Sequence, residues 1–498
     1  MTSISASAEA VERRLQRTGV QIETAIAFIG CLIIIVADAQ SLALIPLVSN
    51  LEKTYGLSPA QATWSLTTPG IVAAGFVPTL ARLGDRFGMR RLLLASLVLS
   101  LLANLLCALA DSFALLVAGR ALLGMSAAFP LVYAILRARG TSEKRTTRGV
   151  SAITLASGLG VALAYLLSGL IIQAHGDVRT VFWAMTAMCV VTVLAAWFIL
   201  PDAPARTADP IDWVGAFGIC VGLVGVVLAI TEGGTWGWTS FNVMGSLIGG
   251  LAILGLWALH EVRTRHPLIN LRRVMNRTAA PAFVVVALSG TLAGYGNLAQ
   301  TTYVQMPKVV GYGLGLSVLA SGYVLCVISA GVILGGAVAG PVISRHGPRR
   351  VMATGSAVLV VDFLVLAFHH AGIGSFIIWD AVWGVTFAFV YSAANAAFLA
   401  DSAPSEAAMY VSANTVVSAV GSGIGPAIFV AILTSRTIAH TPIPDPIVFR
   451  NMWFVGAVAC LVMGAVSLLV RRPQYVSAAE AVGAAEPLSD IEAAPSGA

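Results

Sequence analysis

The feature that most constrains this chain is a series of apolar runs, each long enough to cross a bilayer as a helix. A membrane-spanning helix needs about 20 mostly apolar residues. Fourteen such runs lie between polar connectors, and they are too long and alternate too little to be strands of a β-barrel. The predicted spans lie near residues 24–48, 62–80, 92–110, 113–136, 150–172, 181–200, 213–230, 243–259, 279–304, 316–343, 351–368, 373–400, 411–433 and 452–470.

The composition supports an integral membrane protein. Charged residues make up only 10% of the chain and hydrophobic residues 58%, whereas a soluble domain carries about 25% charged residues because its surface faces water. Most of the surface must therefore face the lipid bilayer. The net charge of +6 does not indicate nucleic-acid binding, because the basic residues lie between the apolar runs rather than together on one solvated face.

Several functional motifs are missing from the sequence, and we expect no cofactor and no metal site. The six cysteines lie singly inside apolar runs without a Cys-x-x-Cys pair. His369-His370 is a lone pair at the end of a span. The glycine clusters lack the Gly-Lys-Ser/Thr sequence of ATP hydrolysis, so the energy for any transport must come from a gradient. Residues 1–20 are polar and are not a signal peptide.

The distribution of basic residues predicts the orientation. Alternate connectors carry 23 Lys and Arg residues on one side and five on the other, and Arg120 lies inside a span. Because cytoplasmic connectors carry the excess of positive charge, both termini are expected in the cytoplasm. An even number of spans requires the same arrangement. Lysine is scarce beside arginine, which suggests a bacterial source and hence the cell membrane.

A sequence motif that occurs twice divides the chain into two similar halves. Leu83–Arg91 follows the second span, and Val342–Arg350, with a similar Gly-x-Arg-Arg ending, follows the tenth. Repeated halves are common in secondary transporters. We therefore predict a cytoplasmic segment, a six-helix bundle, a linker with two extra transmembrane helices, a second six-helix bundle and a disordered tail, over residues 1–23, 24–201, 202–271, 272–472 and 473–498.

Five segments carry a resemblance to a known family. They are Arg82-Leu83-Gly84-Asp85-Arg86-Phe87-Gly88 with Arg90-Arg91, then Asp212-Trp213-x-Gly215, Gly233-Gly234-Thr235-Trp236-Gly237-Trp238-Thr239, His266-Pro267-Leu268-Ile269-Asn270-Leu271, and Tyr303-Val304-Gln305 ahead of Gly311-Tyr312. In this order they resemble the fourteen-helix drug:proton antiporter branch of the major facilitator superfamily. The resemblance implies an all-α integral membrane protein with the major facilitator fold, two six-helix bundles plus two central helices.

The resemblance also implies a role for the first segment, the loop signature, which would latch the two bundles in one conformational state. Glycines permit a tight turn, and an aspartate supplies an anion where helix N-termini and arginines can meet it. The alternative is a solvated basic loop that only enforces topology. In the second copy Ser344 replaces the acid. The latch residues are Gly84, Asp85, Arg86, Gly88, Arg90 and Arg91.

Charged residues inside spans are candidates for proton coupling. A buried arginine costs about 2.5–3.5 kcal/mol on insertion scales, so Arg120 needs a partner. It begins the stretch Arg120-Ala121-Leu122-Leu123-Gly124, which is similar to the family's fourth-span motif. By helical rise, Asp38 in span one lies at a matching depth, and we expect the two to pair. The alternative is a static ion pair that fixes helix packing.

Asp362 and Asp380 form a second candidate set for proton coupling. They lie in consecutive spans, where antiparallel neighbours would bring them together. Two carboxylates that lie close together share a proton. The alternative, which we leave open, is that one of them lies at the headgroup boundary beside Trp379 and Trp383.

Span five departs from the antiporter signature, because its Gly-Pro pair is missing. Small residues keep a close-packing stripe there, and a Gly-Pro pair occurs in span thirteen instead. The predicted packing residues are Gly124, Gly160, Ala164, Ser168, Gly425 and Pro426. The residues predicted to line a substrate cavity are Gln40, Asn297, Gln300, Gln305, Tyr391 and Asn395.

The sequence thus predicts a monomeric secondary transporter, not an enzyme, whose ligands are protons and a small organic substrate. The main hypothesis is proton-coupled efflux of amphipathic compounds (drugs, dyes or natural products) by alternating access, which would confer antibiotic resistance. An importer or facilitator on the same fold remains an alternative, and a membrane-embedded sensor or enzyme is a third.

The predicted topology can be tested by labelling single cysteines in intact cells, on a cysteine-free background. A cysteine at Ser477 should not react with an impermeant maleimide from outside, because the tail is expected in the cytoplasm. A cysteine at Lys308, in a connector of the opposite set, is the matched control and should react. Labelling at Ser477 from outside would overturn the topology.

Overall fold

The computed structural model describes residues 22–127, 130–139, 143–201, 210–269, 271–276, 279–369, 372–400, 407–438, 441 and 443–470. These residues are almost entirely helical. Thirteen helical stretches within them are long and apolar enough to cross a membrane. The predicted segment 1–23, apart from its last two residues, and the tail 473–498 lie outside the described residues.

The helices follow one another through short connectors. In chain order they are α1 (Ile22–Leu42), α2 (Val48–Tyr55), α3 (Pro59–Phe87), α4 (Met89–Ala108), α5 (Phe113–Met125), α6 (Pro130–Arg139), α7 (Glu143–His175), α8 (Val178–Ile199), α9 (Trp213–Trp236), α10 (Phe241–Arg263), α11 (Leu271–Val274), α12 (Ala279–Gln305), α13 (Val318–His346), α14 (Pro348–Phe368), α15 (Ile373–Ala400), α16 (Ala407–Leu433) and α17 (Pro446–Ser467).

Two predicted spans are interrupted in the structure. The first, predicted over 24–48, ends as α1 at Leu42 and continues through a 3-10 turn, Ile45–Leu47, into α2. The fourth, predicted as one span over 113–136, is divided between α5 and α6. Pro46 and Pro130 lie at the two breaks, and a proline nitrogen cannot donate the hydrogen bond that would continue the preceding helix. α5 alone, with 13 residues, is too short to cross a bilayer.

Helices begin either with side-chain caps or directly after glycine turns. At one end of the molecule, side-chain oxygens cap the first turn, as in Ser58, which forms a capping box with Gln61 at the start of α3, and Ser317 at the start of α13. At the other end, Gly88 (φ +96°) and Gly347 (φ +79°) reverse the chain between α3 and α4 and between α13 and α14. We call the end with Gly88 and Gly347 the signature end, and the other the opposite end.

The helices pack as two groups that meet along two seams. In the first half α1 packs on α7, α4 on α8 and α3 on α5, and in the second half α12 packs on α16, α13 on α15 and α14 on α17. The seams between the halves are formed by α3 with α16 and by α7 with α13. This arrangement places a central space between the halves.

The linker helices α9 and α10 lie at the edge of this arrangement. α9 packs against both α3 and α16, so it covers one seam, and α10 packs on α9. Only 11% of the most apolar stretch of α10 is buried. Its exposed side chains, among them Ile248, Leu251 and Leu256, are apolar, as expected for a surface that faces lipid.

The contact between α3 and α9 depends on Gly75. A Cβ at Gly75 would lie 2.7 Å from the Cys220 sulfur and closer still to the Ala216 carbonyl oxygen. Gly75→Ala should therefore lower the free energy of unfolding by about 1–3 kcal/mol, because the helices must separate. Thermal unfolding of the detergent-solubilised protein, followed by intrinsic fluorescence, measures this change.

Gly249 on α10 is the matched control, because a Cβ there meets no atom within 4 Å. Gly249→Ala should leave the stability unchanged or raise it by up to about 1 kcal/mol through helix propensity. Equal effects of the two substitutions would contradict the close approach of α9 to α3.

Candidate functional site

A cavity of about 1110 Å³ lies between the two halves of the molecule. It is lined by the middle parts of helices from both halves, and most of its lining is apolar or aromatic. Asp38 and Arg120 are the two charged side chains among the described lining residues. A cavity of this volume accommodates a drug-sized molecule. The aromatic lining residues are Tyr133, Tyr165, Trp383, Phe387 and Tyr391.

Asp38 is held at the cavity wall by α7. The Ser157 hydroxyl donates a hydrogen bond of 2.5 Å to Oδ2 of Asp38. Close packing of α7 on α1 makes this contact possible, because a Cβ at Gly160 would lie 2.9 Å from the Ile35 Cα and 3.0 Å from the Asp38 Cβ. Ser157 was not predicted as a site residue, although a serine inside an apolar span, three residues before a packing glycine, is a usable signal.

Arg120 is buried, with 1% of its surface exposed, and its hydrogen bonds run to backbone carbonyl oxygens. Nε donates to the Ser65 oxygen at 2.7 Å, and Nη1 donates to the Gln40 oxygen at 3.0 Å. The expected pairing with the Asp38 carboxylate is therefore wrong for this conformation. The matching depth of the two residues was the basis of that prediction, but depth does not determine which way a side chain points around its helix.

The two carbonyl groups that bind Arg120 lack their usual helical partners. The Ser65 oxygen would accept from the nitrogen of residue 69, but Pro69, inside α3, has no N–H. The Gln40 oxygen belongs to the last turn of α1, where carbonyl groups have no donor four residues on within the helix. Arg120 thus supplies hydrogen-bond donors to two carbonyl oxygens that lack them within their helices, and it links α5 to α3 and α1.

Gln40 also joins three helices through its side chain. Its Oε1 accepts hydrogen bonds from the Ser100 hydroxyl at 2.7 Å and from Asn104 Nδ2 at 2.9 Å, both on α4. Its Nε2 donates to the Cys189 sulfur on α8 at 3.1 Å. Gln40, Ser100 and Cys189 all line the cavity. This network fixes the wall of the first half beside Asp38.

Three of the six predicted cavity residues line the central cavity, namely Gln40, Asn297 and Tyr391. The prediction is wrong for the other three. Gln300 lines a smaller cavity, described below, and Asn395 folds back to donate to the Tyr391 carbonyl oxygen. Gln305 lies near the opposite end, where it donates to the Pro46 oxygen at 2.9 Å and to the Ser321 hydroxyl at 2.8 Å.

The two halves are in close contact on the side of the cavity nearer the opposite end. A Cβ at Gly169 on α7 would lie 2.5 Å from the Leu319 Cα on α13, and one at Gly322 would lie 2.9 Å from the Tyr165 oxygen. The Asn297 amide donates to the Tyr165 hydroxyl at 3.3 Å, which adds a polar contact between the halves.

The same seam is loose toward the signature end. Added Cβ atoms at Gly336 and Gly340 of α13 would meet nothing within 4 Å. Leu155 of α7, which lines the cavity, is 48% exposed. Among the described residues, the cavity is therefore closed at the opposite end, and the seam of α7 with α13 is open toward the signature end.

Asp362 and Asp380 line one small cavity of about 20 Å³ in the second half. Their side chains are 2% and 3% exposed, so the expectation that neighbouring spans bring them together is confirmed, and neither lies at an exposed boundary. Gln300 Nε2 donates to Asp380 Oδ2 at 2.6 Å. Asn297 and Trp383 line both this cavity and the central one.

The residues of the loop signature have different surroundings. Asp85 is half-buried, Arg86 lies over the ring of Phe87 at 5.4 Å, and Arg91 is exposed. Arg90 is buried instead of solvated, and its Nη2 donates to the Trp197 carbonyl oxygen at 2.8 Å.

Arg82, at the start of the signature, has a role that the sequence analysis did not assign. Its Nη1 donates to the His266 carbonyl oxygen at 2.8 Å, and its Nη2 donates to the Pro267 carbonyl oxygen. Arg82 therefore anchors the segment after α10 to the end of α3. The His-Pro-Leu segment was part of the resemblance, but its sequence does not show what binds it.

The predicted packing residues lie at close helix contacts. Added Cβ atoms at Gly124 and Gly425 would lie 2.6 Å from the Pro69 oxygen and 3.0 Å from the Tyr295 nitrogen. The Ser168 hydroxyl donates to the Ala43 oxygen at 2.8 Å. Gly160 has been described above, Ala164 is fully buried, and Pro426 lies inside α16 beside Gly294.

No group of three or more His, Cys, Asp or Glu side chains that could hold a metal ion occurs within the described ranges. The six cysteines, all described, are free thiols.

Comparison with known proteins identifies the family. A model of the Major Facilitator Superfamily matches residues 30–426 and 282–494. "Multidrug resistance protein B homolog" of Mycobacterium tuberculosis is 26% identical over 402 residues, which are 78% of this chain and 73% of that protein. "Methyl viologen resistance protein SmvA" of Salmonella typhimurium is 26% identical over 405 residues, 79% of each chain.

Solved structures agree on the fold. The nucleoside transporter NupG superposes with a TM-score of 0.63 at 14% identity, covering 91% of this chain and 99% of NupG. A peptide transporter of the POT type, in complex with sulfate, gives a TM-score of 0.64 at 16% identity, covering 90% of this chain and 94% of that one. The family prediction and its resemblance to drug-efflux proteins are thereby confirmed: this chain is a multi-pass membrane protein of the Major Facilitator Superfamily, a secondary transporter and not an enzyme.

Proposed function

We propose that the chain exports small amphipathic organic compounds in exchange for protons, by alternating access. The observation that carries this proposal is the central cavity, which is large, mostly apolar and aromatic, and has one carboxylate, Asp38, in its wall. Such a lining favours drug-sized molecules with rings and at most a few polar groups. The relatives named for resistance to multiple drugs and to methyl viologen support the same substrate class.

The topology completes the proposal. We propose fourteen spans, in which α5 and α6 together form the fourth, with both termini in the cytoplasm of a bacterial cell. The halves then correspond to two six-helix bundles and α9 with α10 to the two extra helices. The signature end would be cytoplasmic, because it carries most of the basic residues. The cavity described here would therefore be open to the cytoplasm and ready to bind substrate for export. We expect one chain to be the working unit.

Asp38 is the proposed site of proton exchange. Its carboxylate borders the cavity, so a proton and a cationic or polar substrate group would compete for the same oxygen atoms. Ser157 fixes its orientation through the hydrogen bond to Oδ2. Arg120 supports the site indirectly, because it holds the last turn of α1, which follows Asp38, against α3. A proton that crosses down 100 mV releases about 2.3 kcal/mol, enough for a roughly fiftyfold concentration ratio.

An importer or facilitator of a small metabolite is the second candidate. One observation favours it, namely that α7 runs without a proline from Glu143 to His175, so the Gly-Pro kink of the antiporter signature is missing from this helix. The solved structures that share the fold are named as nucleoside and peptide transporters, so the fold by itself does not determine the substrate class.

The first test concerns Asp38. In everted vesicles, Asp38→Asn should abolish substrate uptake driven by a proton gradient, because an amide cannot exchange a proton at neutral pH. Dye accumulation, measured before and after addition of an uncoupler, is the readout. Asp111→Asn is the matched control, because Asp111 is an exposed aspartate at the opposite end whose ion-pair partner among the described residues is Arg179, and this variant should transport as the wild type does.

If Asp38→Asn still responded to the proton gradient as the wild type does, Asp38 would not be the coupling residue. If wild-type vesicles lost dye from their interior when the gradient was applied, the direction would be import, and the second candidate would replace the first.

The second test concerns the latch. Asp85→Asn should lower the transport rate at least tenfold while expression and thermal stability stay near wild type, because the variant removes an anion that one state of the cycle requires. Ser344→Ala is the matched control in the second copy of the loop. Ser344 is exposed and donates only within its own helix, to Pro341 at 2.9 Å, so this variant should keep the wild-type rate. A normal transport rate in Asp85→Asn would contradict the latch and leave the loop with a role in membrane topology alone.

A further inference from the structure

The small cavity that Asp362 and Asp380 line is enclosed by α12, α14, α15 and α17, all in the second half. Three aromatic side chains, Phe363, Trp383 and Trp453, contribute to its wall. The Phe363 ring lies 5.3 Å from the ring of Trp383 and 6.4 Å from that of Trp453. Two carboxyl groups thus share a cavity of about 20 Å³ whose described lining contains two amides, Asn297 and Gln300, and no cation.

The two carboxyl groups differ in their partners. Asp380 Oδ2 accepts a hydrogen bond from Gln300 Nε2, so this oxygen acts as an acceptor. Asp362 Oδ1 is buried and has no hydrogen-bond partner among the described residues. The indole nitrogen of Trp453, whose side chain is 1% exposed and lines the same cavity, is likewise without an acceptor there.

Ionisation of both groups in this cavity is unfavourable. None of the ion pairs found among the described residues involves Asp362 or Asp380. Burial without a cation disfavours each carboxylate, and the second negative charge in the same cavity disfavours it further. A single proton placed on Asp362 removes one charge, and it turns Asp362 into a donor while Asp380 remains the acceptor of Gln300.

We propose that Asp362 and Asp380 form a second proton-binding site, separate from Asp38, which holds one proton together with one water molecule. A cavity of about 20 Å³ is large enough for one water. Such a water would accept from the Trp453 indole and from protonated Asp362, and it would donate to Asp380. Both buried groups that lack partners would then be satisfied.

The site is linked to the contact between the halves. Gln300, which binds Asp380, lies one helical turn after Asn297, which donates to the Tyr165 hydroxyl across the seam. Proton loss at Asp362 would place a second negative charge beside the segment that closes the opposite end. The charge of this site would therefore bias the choice between the closed and the open seam.

The test is infrared spectroscopy of the purified full-length protein in detergent at neutral pH. A protonated carboxyl group has a C=O stretching band that a carboxylate lacks. We expect this band in the wild type and its loss in Asp362→Asn, with no change in Asp111→Asn, the exposed control. Trp453→Phe should shift the band without removing it, because the group that shares the bound water is lost.

The experiment separates this site from the proposed function. Asp38→Asn should leave the Asp362 band in place, whether or not Asp38 couples transport. A spectrum of Asp362→Asn equal to that of the wild type would overturn the proposal. If Asp362→Asn does not fold, an unshifted band in Trp453→Phe would overturn it instead, because the protonated carboxyl group would then not share a water molecule with this indole. Loss of the band on addition of sodium chloride, but not of choline chloride, would also overturn it, because the site would then bind Na⁺ in place of the proton.

Discussion

A guanidinium buried in the middle of an apolar bundle is the constraint on which the first half of the molecule depends. An arginine at this depth costs about 2.5–3.5 kcal/mol by insertion scales, and the cost remains unless its donors find acceptors. The acceptors for Nε and Nη1 are carbonyl groups released by two irregularities, Pro69 inside α3 and the end of α1, whereas Nη2 has no hydrogen-bond partner among the described residues. The arginine, the proline and the break after α1 therefore stabilise one another, and none of them would be favourable alone.

The same contacts define the cavity. Arg120 fixes the end of α1, and Gln40 in that last turn holds α4 and α8 through its side chain. Asp38, half a turn earlier on α1, is thereby presented to the cavity by a rigid wall, while Ser157 on α7 orients its carboxylate. The first half thus carries the charged groups of the central cavity, whereas the second half contributes mainly aromatic and amide side chains to it.

The approximate positions of the apolar helices could be predicted from hydrophobicity, because each helix must match the thickness of a bilayer, and thirteen stretches of the described residues meet that requirement. The proximity of Asp362 and Asp380 was also predictable, since consecutive antiparallel helices pack side by side. The pairing of Arg120 with Asp38 was not, because depth along a helix leaves the rotation of the side chain undetermined. Gln305 was misplaced for a related reason: a polar residue in a span can bind a neighbouring backbone as readily as it can line a cavity. The roles of Pro69 and Arg82 depend on carbonyl groups of distant segments, which one sequence does not reveal.

The packing of small residues explains how such a structure can change state without losing its core. At the seam of α7 with α13, Gly169 and Gly322 allow backbone contact near the opposite end, whereas Gly336 and Gly340 leave the same seam open toward the signature end. Small residues let the two helix backbones approach closely at this seam. The linker helix α9 is held to α3 at Gly75 and, through the segment bound by Arg82, at the signature end, so it should move with the first half. Its contact with the second half, where Gly234 meets Thr434 beyond the end of α16, then has to slide. In the proposed alternating-access cycle, α9 would keep the seam of α3 with α16 covered while the seam of α7 with α13 opens at the other end.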